Sequence, residues 1–181
     1  MTELTIPTSC VVLLVGAAGA GKSTFAARHF PPQAVLSSDA MREAITGDAA
    51  DQRLNGRVFA ALHAALDRRL AGGELAVVDA TNATTAARQA IRRIAGRHGV
   101  PIVAIVFDLP EAIVRTRNAG RTGRPVPDEV VTRHVATLAR TMERRAIEAE
   151  GYLTVVHLRS ASEVDHLSVR LVGGASPPDS R

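Results

Sequence analysis

The segment that most constrains the fold of this chain is the glycine-rich stretch 16–23, which reads Gly-Ala-Ala-Gly-Ala-Gly-Lys-Ser. It matches the pattern G-x-x-x-x-G-K-[ST], a loop that wraps phosphates between a buried strand and the helix that follows it. Lys22 is the only lysine among 22 basic residues, so the other positions are all arginine. A slim ammonium fits beside β- and γ-phosphates where a planar guanidinium would collide with the loop. The chain is therefore predicted to bind a nucleoside triphosphate together with Mg²⁺.

The loop and the first turn of the next helix supply the predicted phosphate contacts, because free backbone N–H groups and the helix N-terminus attract anions. The Ser23 hydroxyl is the predicted Mg²⁺ ligand. Asp79, at the end of an apolar run, is predicted to hold the Mg²⁺ shell through water, and its alternative role is a cap before Thr81. The predicted triphosphate-binding residues of this part of the chain are Gly16, Gly19, Ala20, Gly21, Lys22, Ser23 and Thr24.

Apolar runs alternate with helical patterns along the chain, and this alternation predicts a mainly parallel sheet covered by helices on both faces. The predicted fold is an α/β three-layer sandwich of the P-loop NTPase and kinase type with five strands. The predicted strands are Val11–Val15, Ala34–Leu36, Leu75–Asp79, Ile102–Phe107 and Leu153–Leu158. The predicted helices are Lys22–His29, Ala40–Thr46, Arg53–Ala71, Thr85–His98, Glu111–Ala119, Asp128–Ala149 and Ser162–Leu171.

Composition sets the domain count and limits the partners. A chain of 181 residues with 46% apolar content predicts one domain, residues 1–172, followed by a disordered tail, residues 173–181. No apolar run reaches the roughly 18 residues of a membrane span, and residues 1–9 lack the basic start of a secretory signal. We therefore expect a cytoplasmic protein that does not bind a membrane. Cys10 is predicted to be a core residue. A net charge of +4 favours anionic partners, whereas 3% aromatic residues argue against wrapping long single strands.

Two common functions of such a loop are disfavoured by what the sequence lacks. A GTPase needs a second lysine in its guanine-reading motif, and Lys22 is already committed. A motor ATPase carries an acidic pair that activates water, but Ala80 follows Asp79. Transfer of the phosphoryl group to another acceptor remains, and this reaction needs a base near the γ-phosphate.

Asp39 is the predicted base because it follows the second strand and should lie at the same sheet edge as the phosphate loop. Arg42, one helical turn later, can polarise that carboxylate or hold an acceptor phosphate. The alternative is structural, since Ser-Ser-Asp before a helix is also an ordinary N-cap cluster.

Arginines dominate two other regions of the sequence. Arg117, Arg121 and Arg124 surround a glycine- and proline-rich loop and are predicted to form a mobile lid on the triphosphate. Their alternative is a solvated basic face. A second group, Arg88, Arg92, Arg93 and Arg97, is predicted to be a solvated helix face, and its alternative is a nucleic-acid-binding patch. The six histidines show no metal-ligand spacing, so no zinc site is predicted.

Four segments in this order resemble the kinase domain of the polynucleotide 5′-hydroxyl kinases of the bacterial end-healing and phage types. They are the phosphate loop with Gly-Lys-Ser-Thr, residues 36–42 (Leu-Ser-Ser-Asp-Ala-Met-Arg), residues 77–82 (Val-Val-Asp-Ala-Thr-Asn) and residues 117–124 (Arg-Asn-Ala-Gly-Arg-Thr-Gly-Arg). The resemblance runs from about Val11 to His166.

By this resemblance, Lys22 and Ser23 hold ATP and Mg²⁺, and Asp39 accepts the proton of a 5′-hydroxyl at the end of DNA or RNA. Arg42 grips the acceptor phosphate, and Arg117 and Arg121 lie on the ATP phosphates. Members of the family often carry phosphatase and ligase domains, so the resemblance implies such domains or subunits as partners. A second copy of the chain is a further candidate partner. Related small P-loop kinases phosphorylate sugars, nucleosides or antibiotics with a similar aspartate, and a small-molecule acceptor is the alternative.

Overall fold

The computed structural model describes residues 2–48, 53–121 and 125–173. The strands are β1 (Thr2–Pro7), β2 (Val11–Gly16), β3 (Val35–Ser37), β4 (Ala76–Asp79), β5 (Ile102–Phe107), β6 (Thr154–Leu158) and β7 (Leu167–Val172). The α-helices are α1 (Lys22–His29), α2 (Ser38–Thr46), α3 (Asn55–Ala71), α4 (Thr85–Arg97), α5 (Glu111–Ala119), α6 (Asp128–Glu143) and α7 (Ala161–His166). Two short 3₁₀ helices span Pro32–Ala34 and Glu148–Glu150.

Five of the strands form one parallel sheet in the order β3-β4-β2-β5-β6. The side chains of β2 alternate between its two faces, as the period of a strand requires. Val12 and Leu14 join the core that contains Phe25 of α1, whereas Val11 and Leu13 join the core that contains Leu62 of α3. The predicted three-layer α/β sandwich with a five-stranded parallel sheet is therefore confirmed.

The strand order brings the functional segments to one edge of the sheet. The chain moves from β2 in the centre to β3 at one margin, returns through β4, and then continues on the other side of β2 with β5. In such sheets ligands bind beyond the carboxyl ends of the strands where the order reverses. The register pairs Leu14 with Asp79 and Leu36 with Val78, so the segments that follow β2, β3 and β4 meet there.

The prediction of a helix over Ser162–Leu171 is wrong in its second half. Helix α7 ends at His166, and Leu167–Val172 forms strand β7, which pairs in parallel with β1 as a separate two-stranded sheet. The sequence of β7, Leu-Ser-Val-Arg-Leu-Val, alternates apolar and polar residues through most of its length and so suits a strand. Its partner β1 is distant in the sequence and was not predicted.

The predicted helix Asp128–Ala149 is too long. Helix α6 ends at Glu143, and Arg145 adopts a left-handed conformation with φ of +47°. The backbone N–H of Arg145 donates to the Met142 carbonyl and that of Ala146 to the Thr141 carbonyl. This is the Schellman pattern, which glycine usually provides. Because arginine occupies the left-handed position, the sequence carries no stop signal there.

Two further predictions concern burial and the chain ends. Cys10 is fully buried, as predicted for a core residue. The predicted tail lies outside the described residues except for Gly173. Within residues 2–48, 53–121 and 125–173, no helix combines the length and apolar character that crossing a bilayer requires.

Candidate active site

The phosphate loop connects β2 to α1 and depends on two glycines with positive φ angles, Gly19 (+88°) and Gly21 (+96°). A Cβ atom at Gly19 would lie 2.5 Å from the Val114 carbonyl oxygen and 3.0 Å from the Asn118 Cβ. Glycine is needed there both for its backbone angles and because helix α5 packs directly on the loop. Helix α5 and the phosphate loop are therefore in contact.

Lys22 is the first residue of α1, and its side chain folds back over the loop. Its ammonium Nζ donates hydrogen bonds of 2.9 Å to the carbonyl oxygens of Gly16 and Ala17. Burial lowers the pKa of Lys22, and the carboxylates of Asp79 and Asp39 oppose that shift. Lys22 thus interacts with both acidic residues of the site, and the phosphates of a nucleotide would favour its charged form further.

Ser23 and Asp79 face each other across the bottom of the site. The Ser23 hydroxyl donates a 2.7 Å hydrogen bond to Oδ2 of Asp79, which ends β4. A hydroxyl and a carboxylate at this distance provide the hard oxygen donors that Mg²⁺ prefers, so the pair fits a magnesium ion. The alternative capping role does not apply, because Thr84 caps α4 by accepting a hydrogen bond from the Ala87 N–H.

Asp39 lies in the first turn of α2 rather than before it. Ser37 is the N-cap, since its hydroxyl accepts a hydrogen bond from the Ala40 N–H. The Asp39 carboxylate is consequently left for other partners. Oδ1 accepts a 2.7 Å hydrogen bond from Nη1 of Arg42, and Oδ2 lies 3.7 Å from Nη2 of Arg121. Arginines therefore hold this carboxylate from two sides.

Arg42 is almost fully buried, with only 4% of its surface exposed. Its Nη2 donates a 3.1 Å hydrogen bond to Oδ1 of Asn55, the first residue of α3. The guanidinium is thus held by α3 while it orients Asp39 on its own helix. This environment favours a fixed orienting role over free movement toward a ligand.

The predicted lid arginines Arg117 and Arg121 do not lie on one face of a single helix. Helix α5 ends at Ala119, so Arg117 lies on the helix and Arg121 on the turn after it. Nη1 of Arg117 lies 3.5 Å from the Ala20 carbonyl oxygen of the phosphate loop. Arg121 instead reaches toward Asp39. Arg124 lies outside the described residues.

Asn118, near the end of α5, bonds to Val126 ahead of α6, a role that the sequence did not reveal. Its buried side chain donates 2.8 Å to the Val126 carbonyl oxygen and accepts 3.2 Å from the Val126 N–H. An asparagine side chain can copy the pairing of a backbone strand in this way. Asn118 therefore links the end of α5 to Val126.

His134 on α6 is a second residue that sequence reasoning missed. Burial lowers its pKa, the charge of Lys22 lowers it further, and Asp39 partly opposes both, so the ring faces the same charges as the site. Its Nδ1 is buried and has no hydrogen-bond partner among the described residues. Val130, His134 and Thr137 all line the cleft, and their spacing of four and three on a helix was the available signal.

These residues surround one cleft with a volume of about 1070 Å³. Gly16 and Ala20 are buried behind it and contribute through the loop backbone. The loop Ala80–Thr84, which we call the wall loop, follows β4 and lines one side of the cleft. The predicted site residues that line the cleft are Gly19, Gly21, Lys22, Ser23, Thr24, Asp39, Arg42, Asp79, Arg117 and Arg121.

The prediction of a solvated arginine face on α4 is wrong for Arg88. Its side chain is fully buried and bonded to the carboxylate of Glu150. Arg92 is half-buried and lies over the Tyr152 ring, whereas Arg93 and Arg97 are exposed as predicted. The spacing of arginines could not distinguish these cases because the partner, Glu150, lies far away in the sequence.

Comparison with known proteins places the fold in context. A family described as AAA domain matches residues 11–145, more than half of the chain. The chain belongs to this AAA domain family. None of the curated proteins compared with it matches.

Three solved structures illustrate the range of similar folds. A chain of the Pnkp1/Rnl/Hen1 RNA repair complex has a TM-score of 0.66 and 27% identity, covering 77% of this chain and 47% of that one. A gluconokinase from Sinorhizobium meliloti 1021 has a TM-score of 0.54 and 20% identity, covering 88% and 87%. A putative kinase from Chloroflexus aurantiacus has a TM-score of 0.56 and 12% identity, covering 85% and 86%.

This chain spans about half the length of the RNA repair chain that it matches. The P-loop kinase fold implies ATP binding and supports a phosphotransferase.

Proposed function

We propose that this chain transfers the γ-phosphate of ATP to the 5′-hydroxyl end of DNA or RNA, as an enzyme of nucleic acid end repair. The observation that carries the proposal is the position of Asp39, held by Arg42 in the same cleft as Lys22 and the Ser23–Asp79 pair. A base, a phosphate loop and surrounding arginines are the parts that phosphoryl transfer to a hydroxyl requires. The 27% identity to a chain of an RNA repair complex supports a nucleic acid acceptor over others.

The donor side of the cleft would bind the triphosphate. Lys22 would exchange its two carbonyl partners for β- and γ-phosphate oxygens, and the loop N–H groups would bind the same anions. Ser23 would ligate Mg²⁺ directly, with Asp79 holding its water shell. When bound, the metal would neutralise charge that develops on the phosphate oxygens.

The acceptor side would be organised by Asp39. Arg42 bonds its Oδ1, so Oδ2 is the oxygen that could accept the proton of an incoming hydroxyl. The hydroxyl oxygen would then attack the γ-phosphorus in line, and ADP would leave from the opposite side. Arg42 would keep the carboxylate oriented, and its contact with an acceptor phosphate stays a prediction.

Arginines would cover the reacting phosphoryl group. Arg121 lies only 3.7 Å from Asp39 and could move to the transferred phosphoryl, while Arg117 already lies over the phosphate loop. Such guanidinium groups stabilise charge that spreads over the equatorial oxygens in the transition state. The same role for Arg124 stays a prediction.

A small-molecule acceptor is the second candidate function. Its support is the match to the gluconokinase, which extends over 88% of this chain and 87% of that one. At 20% identity this match concerns the fold alone, so it does not favour a sugar over other small alcohols. Partner domains or subunits that complete end repair would belong to the leading proposal only.

The test is incubation with γ-labelled ATP and an oligonucleotide carrying a 5′-hydroxyl. The control oligonucleotide has the same sequence with a 5′-phosphate, and parallel reactions contain gluconate and nucleosides. The proposal expects label on the 5′-hydroxyl oligonucleotide alone. Label on a small molecule with none on the oligonucleotide would replace it with the second candidate.

A further inference from the structure

Arg88 on α4 is a fully buried arginine, and each of its N–H groups has a hydrogen-bond acceptor. Nε and Nη2 donate to the two carboxylate oxygens of Glu150, at 2.9 and 2.7 Å. Nη1 donates to the backbone carbonyls of Asn82 (3.1 Å) and Ala83 (2.8 Å), and Nη2 also reaches the Thr85 hydroxyl at 3.3 Å. These contacts match the five donors that a guanidinium carries.

The two carbonyls belong to the wall loop, which has an unusual backbone. Asn82 has a φ of +48°, which residues other than glycine rarely adopt. Its side-chain amide donates 2.8 Å to the Leu14 carbonyl oxygen, near the end of β2. The hydroxyl of Thr141 on α6 donates to the same Ala83 carbonyl as Arg88 does, at 3.0 Å. Side-chain donors from α4 and α6 thus hold one short loop.

The wall loop is also joined directly to the phosphate-binding parts of the cleft. The N–H of Gly16, where the phosphate loop begins, donates to the Thr81 carbonyl at 3.0 Å. Asp79, which accepts the Ser23 hydroxyl, immediately precedes the loop. A displacement of the wall loop would therefore shift both Asp79 and the start of the phosphate loop at Gly16.

We propose that Arg88, held by Glu150, is a positioning residue that sets the wall loop and through it the Ser23–Asp79 pair and the start of the phosphate loop. The inference rests on the proposed phosphoryl transfer and adds a residue that touches neither ATP nor the acceptor. Transfer requires reacting groups to be placed within fractions of an ångström, so a shifted wall lowers the rate more than it lowers ATP affinity.

A purely structural role is the competing explanation, because a buried ion pair can stabilise a fold without serving its site. The two roles differ in which bonds matter. Only the Nη1 bonds reach the wall loop, whereas the hydroxyl of Tyr152 donates 2.6 Å to the same Glu150 carboxylate and contacts no part of the cleft. A pair of variants can therefore separate the loop side of the network from its far side.

The test compares Arg88→Lys with Tyr152→Phe. Lysine keeps a positive charge for Glu150, but its three N–H donors cannot satisfy both loop carbonyls and both carboxylate oxygens. Phe removes one bond to Glu150 while leaving the loop bonds intact. With labelled ATP and the 5′-hydroxyl oligonucleotide, we expect Arg88→Lys to lower kcat about 10- to 100-fold. Its KM for ATP should change less than about threefold, and Tyr152→Phe should keep the kcat of wild type. Rates are normalised to ATP-binding sites at a temperature where each variant is folded.

A second measurement does not need the acceptor. Hydrogen exchange of the peptide covering 80–84 should accelerate in Arg88→Lys and remain as in wild type in Tyr152→Phe. Thr141→Val removes one of the two bonds to the Ala83 carbonyl together with the bond to the Thr137 carbonyl within α6. It should accelerate exchange to a smaller extent and serves if Arg88→Lys does not fold. If wild type fails to label the oligonucleotide, the proposed function fails, while the exchange result still tests the positioning role.

Two results would overturn the inference. One is a kcat of Arg88→Lys within about twofold of wild type. The other is an equal loss of kcat or equal acceleration of exchange in Arg88→Lys and Tyr152→Phe, which would mean that the network stabilises the fold without a specific effect on the cleft.

Discussion

The phosphate loop and the wall loop line the same cleft, yet they are held in opposite ways. The phosphate loop is shaped within one short segment by Gly19, Gly21 and the carbonyl contacts of Lys22. The wall loop is shaped by a guanidinium whose partner Glu150 is 62 positions away from Arg88 in the sequence. The first is proposed to contact the ligand itself, whereas the shape of the second depends on distant side chains. Mutations should consequently affect them through different measurable quantities.

The largest expected effect on stability comes from breaking the support of the wall loop. Glu150→Ala leaves Arg88 charged and fully buried without its carboxylate, and we expect the free energy of unfolding to fall by about 3–5 kcal/mol. Chemical denaturation measures this loss. The matched control is Asp67→Asn, which breaks the exposed contacts with Arg97 and His98. A larger loss for Asp67→Asn than for Glu150→Ala would contradict the contrast between buried and exposed pairs.

Lys22→Arg should affect transfer rather than stability. The guanidinium is too wide for the position between the Gly16 and Ala17 carbonyls, so the loop cannot close on phosphates. We expect the rate of transfer from ATP to fall about 10²- to 10³-fold, as when an oxyanion-binding donor is removed. The reverse exchange at an exposed site, Arg140→Lys, should leave the rate unchanged. Comparable activity of Lys22→Arg and wild type would remove the requirement for lysine.

Substitutions at two glycines with positive φ, Gly47 and Gly19, distinguish the cost of backbone strain from the cost of steric crowding. Gly47 ends α2 with a φ of +75°, and a Cβ added there would meet no atom within 4 Å, whereas a Cβ at Gly19 would meet the Val114 carbonyl. Gly47→Ala should lower stability by about 1 kcal/mol and leave ATP affinity unchanged. Gly19→Ala should lower stability more, by about 1–3 kcal/mol, and also weaken ATP binding. Calorimetric titration and denaturation measure both, and equal effects at the two sites would show that crowding by α5 is unimportant.

The smallest expected effect is a pH dependence of the free energy of unfolding that comes from Glu150, which supports the wall loop through Arg88. Burial alone would raise the pKa of Glu150, but hydrogen bonds from Arg88 and Tyr152 outweigh it, so its pKa is lowered. A lowered pKa means that the stabilisation is present above the ordinary glutamate range, near about 4.3, and is lost as pH falls through the folded-state value. The stability gap between wild type and Glu150→Gln should therefore narrow as the pH falls from neutral into the acid range. A gap that widens on acidification would contradict this sign.

The sequence predicted those parts of the fold that depend on neighbouring residues. Five apolar strands, the phosphate loop and the helices Lys22–His29 and Glu111–Ala119 were recognised because period and turn signals lie within each segment. The pairing of β1 with β7 was missed because its two strands are far apart in the chain. The early end of α6 was missed because arginine replaces the usual glycine at the left-handed position.

The residues of the candidate site also fall into those that local sequence patterns predict and those that depend on distant contacts. Lys22, Ser23 and Asp39 could be predicted because each follows a strand at the sheet edge where parallel strands place ligands. Arg88 was predicted to lie on a solvated helix face, and His134 was considered only as one of six histidines without metal-ligand spacing. Their positions depend on contacts between distant elements, which periodicity does not encode.

The most direct test of the role of Asp39 is the effect of Asp39→Asn on transfer and on ATP binding, measured on the same preparation. Asparagine keeps the size of the side chain but cannot accept the proton of a hydroxyl as a carboxylate does. We expect ATP affinity within about threefold of wild type and a single-turnover transfer rate to the 5′-hydroxyl oligonucleotide lower by about 10²- to 10⁴-fold. Transfer at the wild-type rate, or a loss of ATP binding that accounts for the whole decrease, would contradict the claim that Asp39 is the base that joins the two sides of the cleft.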